Sequence, residues 1–162
     1  MKRERWLYRA SQAIAAAGAK LSEADRAEAL AALPEGLRAL FLEMAPRDQR
    51  HSLNVLRRLQ PAEPLLAQAA LLHDVGKARA PLGTAGRSLL VLAEASGTTA
   101  ALVRVPGLGA RVARYRRHPE VGAALLAEAG ASPALVDIVR EHQAARPARP
   151  ETLRLQAADG RE

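Results

Sequence analysis

His73 and Asp74 stand side by side in the run Leu71-Leu72-His73-Asp74-Val75-Gly76-Lys77, at the end of an apolar stretch where a core would exclude both. Burying an ionisable pair is costly unless something compensates it, and neighbouring imidazole and carboxylate groups are the donors a divalent cation takes. The chain has four histidines, and the other three, His51, His118 and His142, can each be placed near this pair. There is no cysteine. Disulfides and thiolate-held zinc or iron–sulfur centres are therefore excluded, leaving an imidazole–carboxylate set suited to Mn, Fe, Zn, Ni, Co or Mg.

The elements that must position these groups read as helices throughout. Ala, Leu, Arg and Glu dominate, and no stretch alternates with β-branched or aromatic enrichment. An all-α bundle is expected. Glu4 to Ala17 forms an amphipathic segment ending at Gly18, and Ser22 caps a second helix with Glu23 and Asp25 in its first turn. Pro34-Glu35 opens a third helix to about Met44. The stretch from Ala78 to Arg116 is expected to hold one or two helices, Ser88 to Ala95 and Leu108 to Arg117, that could cover a site.

Two hairpins organise the histidines. His51 lies near the start of a helix over Arg50 to Leu59, the turn centres near Ala62, and a second helix runs from about Leu65 to Val75. His51 and His73 are then each 11 residues from the turn, which puts both about 16 Å up their arms at 1.5 Å per residue. Pro119 suits a first helical position, so His118 marks the start of a helix that turns through Gly130-Ala131-Ser132-Pro133. His142 sits near the end of its partner, 12 residues past Gly130 as His118 is 12 before it. His142 also shares a stripe with Leu135, Ile138 and Val139, which turns it inward. A final helix from about Pro150 carries Asp159, four residues after Leu155. The candidate metal ligands are His51, His73, Asp74, His118, His142 and Asp159, with Asp74 placed to bridge two ions.

This ordered pattern, His51 … His73-Asp74 … Asp159, resembles the HD superfamily of metal-dependent phosphohydrolases. Arg117-His118-Pro119-Glu120-Val121-Gly122 and Glu141-His142 resemble its branch with additional histidines, which includes HD-GYP cyclic-di-GMP phosphodiesterases and diadenosine-tetraphosphate hydrolases. The resemblance spans about Arg50 to Gly160. It implies an HD domain over 50–162, with residues 1–49 an N-terminal helical extension packed on it. It implies two divalent ions, one held by His51, His73, Asp74 and Asp159, the other by His118 and His142 with Asp74 shared. Glu141-His142-Gln143 followed by Ala-Ala-Arg-Pro departs from the HD-GYP pattern, which argues against cyclic-di-GMP cleavage. His142-Gln143 likewise replaces the His-Thr of the tetraphosphate hydrolases, which also continue further past the Asp.

The expected activity is hydrolysis of a phosphoester or pyrophosphate bond in a small nucleotide-like substrate by a metal-activated water. The alternative is a non-catalytic metal and nucleotide sensor. Asp74 and Lys77 are the candidate catalytic residues, Lys77 neutralising phosphate charge one turn past Asp74. Arg50 and Arg117, each directly preceding a histidine, are candidates to reach phosphate together with Lys77. The formal charge is +7 and nearly all of it is arginine, yet aromatics make up 2% of residues, too few for base-stacking platforms. Solvated arginine faces are expected rather than a nucleic-acid surface. No apolar run approaches a bilayer span and no apolar segment follows the charged N-terminus, so a cytoplasmic protein is expected, with a homodimer open.

Overall fold

The computed structural model describes residues 20–160 apart from 81, 83–85, 87–88, 91 and 94–95. The described residues form helices and connecting turns, with no strand among them. In chain order the helices are α1 (Glu23–Ala31), α2 (Glu35–Glu43), α3 (Pro46–Arg58), α4 (Pro64–Leu72), α5 (Thr99–Val103), α6 (Leu108–Arg116), α7 (His118–Glu128), α8 (Pro133–Glu141) and α9 (Pro150–Asp159). A 3-10 turn over Val75–Arg79 follows α4. The helix expected over Glu4 to Ala17 lies outside the described residues. None of the helices is long and apolar enough to cross a membrane.

Local chemistry sets the boundaries. The Ser22 hydroxyl accepts from the Asp25 amide at 3.1 Å and Ser132 does the same for Leu135 at 3.3 Å, caps worth about 1 kcal/mol each. Proline occupies the first turn of α3, α4, α7, α8 and α9, where its missing N–H has no helical partner to lose. Gly130 turns α7 into α8 at φ +76°, a left-handed conformation that a side chain would oppose.

Three expectations shift. α3 starts at Pro46 rather than Arg50, where proline suits the first turn, so His51 lies in its second turn and not near its start. α4 stops at Leu72 rather than Val75, and the chain tightens into the 3-10 turn. The reason is packing. A Cβ on Gly76 would lie 2.1 Å from the His118 carbonyl oxygen and 2.7 Å from the Gly122 nitrogen, so this turn lays bare backbone against α7. The third change is α5, a short helix between the two expected ones; of the first of those, Leu89, Leu90, Leu92 and Ala93 are helical.

One core joins nearly every helix. Ala29, Leu37, Phe41, Leu53, Leu56, Leu66, Leu71, Leu72, Leu126, Leu135, Ile138 and Leu155 are all buried in a single cluster. The hairpins α3–α4 and α7–α8 pack through it, and α9 closes against α3, α4 and α8. A separate small cluster of Leu82, Leu90, Ala93, Leu102 and Val112 lies under α5 and α6.

Ion pairs tie α1 to α3. Asp25 receives Arg57 at 2.6 Å and Arg50 at 2.8 Å. The Arg57 guanidinium first, then the Ser22 hydroxyl and Arg50, hold the Asp25 carboxyl far below the ordinary carboxylate range. The folded chain therefore binds this proton more weakly than the unfolded chain does, so the contribution is present above about pH 4 and lost as pH falls further. Asp25→Asn is expected to lower stability at pH 7 and to flatten the acid limb below pH 4. Urea midpoints measured at pH 7 and pH 3 check this, and superimposable wild-type and variant curves would refute it.

Candidate metal centre

Four helices end at one place. His73 is the C-cap of α4, His142 is the C-cap of α8, His118 follows the end of α6, and Asp159 closes α9. A helix C-terminus leaves carbonyls without intrahelical partners and carries partial negative charge. Each of the three histidines answers one of those carbonyls. His73 Nδ1 donates to Ala70 O at 3.0 Å, His118 Nδ1 to Tyr115 O at 2.8 Å and His142 Nδ1 to Val139 O at 2.7 Å. A carbonyl only accepts, so each Nδ1 carries the hydrogen, and in the neutral ring each Nε2 presents a bare lone pair.

The lone pairs converge. Nε2 of His118 and Nε2 of His142 are 3.2 Å apart, and the ring centroids are 5.1 Å apart. His51 and His73 have centroids 5.3 Å apart, as do His73 and His142. The equal-arm arithmetic of both hairpins is therefore realised, with His118 and His142 level on α7–α8 and His51 and His73 level on α3–α4. Two ligand groups result: His51, His73 and Asp159, and Asp74, His118 and His142, the ligand atoms within each group lying within 4.8 Å of one another.

Asp74 stands between the groups. Its backbone takes φ −96°, ψ 4°, in the sparsely populated bridge region common at functional sites. Oδ1 is 3.2 Å from His118 Nε2 and 3.9 Å from His142 Nε2, while Oδ2 is 3.5 Å from His73 Nε2 and 3.9 Å from His51 Nε2. One carboxylate thus offers one oxygen to each group. Asp159 Oδ1 completes the first group, 2.8 Å from His51 Nε2 and 3.7 Å from His73 Nε2.

The electrostatics match cation binding. Burial, then the neighbouring His73, bring the His142 pKa down to about 3, and burial likewise lowers His73 against the pull of Asp74 and Asp159. Both rings are neutral near pH 7, the form that ligates metal. Burial opposes the Asp74 charge, but His73, His118 and Lys77 outweigh it and hold this carboxyl well below its ordinary value. Asp159 is held low in the same way by His51 and His73 against burial. The sharpest observation is His73 Nε2, which is fully buried with no hydrogen-bond partner. An orphaned buried acceptor costs about 1–3 kcal/mol. Lys77 offsets the Asp74 charge at Oδ2, while the bare nitrogens, the Asp159 carboxylate and the negative ends of four helices still face one another, an arrangement that a further cation would relieve. The donor set is the nitrogen and oxygen mixture that first-row divalent ions accept.

The remaining predicted residues divide. Lys77 Nζ is 2.5 Å from Asp74 Oδ2 and 5.7 Å from the Tyr115 ring centre. Burial works against its charge, yet Asp74, Tyr115 and Asp48 together keep its pKa above the ordinary value. Arg50, expected at phosphate, instead gives its guanidinium to Asp25 and to Lys20 O at 3.0 Å. Arg117 is exposed beside His118. Glu141 braces the loop behind α8, accepting from the Ala148 amide at 2.7 Å and Thr152 Oγ1 at 3.2 Å. Three contributors escaped the sequence reading. Asp48, buried three residues before His51, acts on Lys77; its i, i+3 spacing to a histidine was the available signal. Tyr115 holds His118 through its carbonyl. Gln156 Nε2 donates to His142 O at 3.0 Å and Ala144 O at 2.8 Å, locking the helix that bears Asp159 to the strand of chain leaving His142.

No protein-family model matches this chain, nor does any curated protein or solved structure.

Proposed function

We propose that this protein is a metal-dependent phosphohydrolase of the HD type, acting on a phosphoester or pyrophosphate bond of a nucleotide-like substrate. The observation that carries the reading is the pair of adjoining His/Asp groups with Asp74 giving one oxygen to each. His51, His73 and Asp159 would hold one divalent ion and His118 and His142 a second, with Asp74 shared. Bound there, two such ions supply an activated water and a clamp for phosphoryl oxygens.

The chain's own groups do the rest. Three imidazoles are fixed in tautomer and aim by backbone carbonyls, so the ligand set is organised before anything binds. Asp74 stays ionised at neutral pH and so serves as a ligand and an acceptor, not a proton donor. Lys77 keeps its positive charge beside Asp74 and is placed to draw a phosphate towards the centre. His51 and Asp159 are 20% and 35% exposed, against 4% or less for His73, Asp74, His118 and His142, so a substrate reaches the centre from the His51–Asp159 side.

Protein supplied with Mn, Fe, Co or Ni is expected to hydrolyse at least one member of a nucleotide panel. Metal at about 100 times its Kd is expected to stabilise the fold by about 2.7 kcal/mol per site, reversed by chelator. No turnover with any metal, or turnover indifferent to His73→Ala, would end the hydrolase reading. Stabilisation by metal and nucleotide without turnover would leave a sensor in its place.

A further inference from the structure

Arginines are spread over the whole chain, but their partners are not. Arg50, Arg57, Arg79, Arg140, Arg149 and Arg154 each pair with a carboxylate. Arg26, Arg47 and Arg146 are exposed singly without an ion pair among the described residues, but between residues 95 and 119 such arginines cluster: this stretch contains Arg104, Arg111, Arg114, Arg116 and Arg117 and no Asp or Glu. All five are exposed. Among the described residues none of them has an ion-pair partner.

The arrangement is ordered by α6. Leu108, Val112 and Tyr115 turn towards the small apolar cluster, so Arg111, Arg114 and Arg117, at three-residue intervals, form a stripe on the outward side. Its length along the helix is about 9 Å at 1.5 Å per residue. The inward side of α6 meets the metal centre through Tyr115, whose ring lies 5.7 Å from both the His118 ring and Lys77 Nζ, and the outward stripe ends at Arg117, which directly precedes His118. Attraction of basic groups to a helix C-terminus accounts for Arg114 and Arg116 in the last turn. It accounts equally for Arg104, the C-cap of α5, but not for Arg111, which lies before the last turn of α6. Guanidinium forks pair two-pronged with phosphate. The stretch offers one aromatic ring, Tyr115, already engaged beside His118 and Lys77, so phosphates rather than stacked bases suit it.

We infer that the outward face of α6 is a binding stripe for a chain of linked phosphates, which selects substrates carrying several phosphates over those carrying one. The inference deepens the hydrolase reading, on which it rests for the position of the reacting phosphate alone. The anion contact itself requires only the arginines.

Calorimetric titration of the full-length protein in magnesium buffer at low salt, with tripolyphosphate and with inorganic phosphate as probes, tests it. Tripolyphosphate is expected to bind at least about tenfold tighter, in keeping with two-pronged Arg–phosphate pairing, and to weaken as salt is raised. The advantage is expected to survive metal removal. Arg111→Ser with Arg114→Ser is expected to erase it while bound-metal content and thermal midpoint stay unchanged, and lysine at both positions is expected to restore only part of it, through charge without the two-pronged pairing. Equal affinity for the two probes, or full preference in the serine variant, would overturn the inference. A short RNA bound more tightly than tripolyphosphate through the same arginines would overturn it in favour of a nucleic-acid surface. The two readings fail separately: an inactive protein that keeps the preference refutes hydrolysis alone, and an active one without it refutes the stripe alone.

Discussion

If the protein is the two-ion hydrolase proposed above, Asp74→Asn is expected to lower bound divalent metal from two ions per chain to at most one and to cut turnover by at least about 1,000-fold. The substitution preserves shape and removes charge. An asparagine amide has one acceptor oxygen and a nitrogen that only donates, so it cannot present an anionic oxygen to each ligand group as Asp74 does with Oδ1 and Oδ2. Loss of a shared anionic ligand is worth several kcal/mol of charge stabilisation, and about 4 kcal/mol corresponds to a 1,000-fold loss. A second effect is separable. Lys77, 16% exposed, would lose the carboxylate that holds it, and breaking a buried pair costs about 3–5 kcal/mol, less where the ammonium reaches water. Replacing Lys77 with methionine in the same background is expected to recover stability without recovering metal. Metal analysis alongside urea unfolding distinguishes the two, and retention of two ions by the asparagine variant would remove Asp74 from its bridging place.

Gly76→Ala is expected to destabilise the fold by about 3 kcal/mol or more and to uncouple the two ligand groups. The new Cβ would meet the His118 carbonyl oxygen at 2.1 Å, the Gly122 nitrogen at 2.7 Å and the His118 carbonyl carbon at 2.9 Å, all backbone atoms that no rotamer change relieves. Overpacking a rigid site costs about 1–3 kcal/mol, with more where backbone must move. The clash falls two residues from Asp74 and on His118 itself, so relief means pushing the 3-10 turn off α7. Distances between the groups then grow even if the core survives. Denaturant unfolding reports the first effect and metal stoichiometry the second. A variant with wild-type stability would show that the turn and α7 are not held as close as the structure has them. Gly122→Ala meets side-chain methyls of Val75 and Val139 and the Gly76 nitrogen at 3.2–3.3 Å, and is expected to cost less.

How far the sequence reached follows from which distances are local. Levels within a hairpin depend on helix rise and turn position, both constant enough that His51 opposite His73, and His118 opposite His142, could be counted from residue numbers. The Ser22 and Ser132 caps, the proline starts and the inward stripe of α8 are likewise interactions within three or four residues. Arg50 shows the limit. Adjacent to His51 in sequence, it points a different way around α3, and its phosphate role gave way to Asp25, 25 residues earlier. Whether Glu141 joins the centre was also unreadable, since its partners Ala148 and Thr152 lie across a loop whose path no periodicity describes.

The composition and spacing of this chain determined an all-helical fold, two histidine-bearing hairpins and a donor set free of sulfur. Only tertiary structure decided that the hairpins meet. That depends on Gly76 lying backbone to backbone against His118 and Gly122, a contact between residues some 40 apart that leaves no repeat in the sequence. It also decided that four helix ends share one point, turning three ordinary C-terminal hydrogen bonds into three aimed lone pairs around Asp74. A lone pair's direction is fixed by its partner across the fold, and residue spacing carries no record of it.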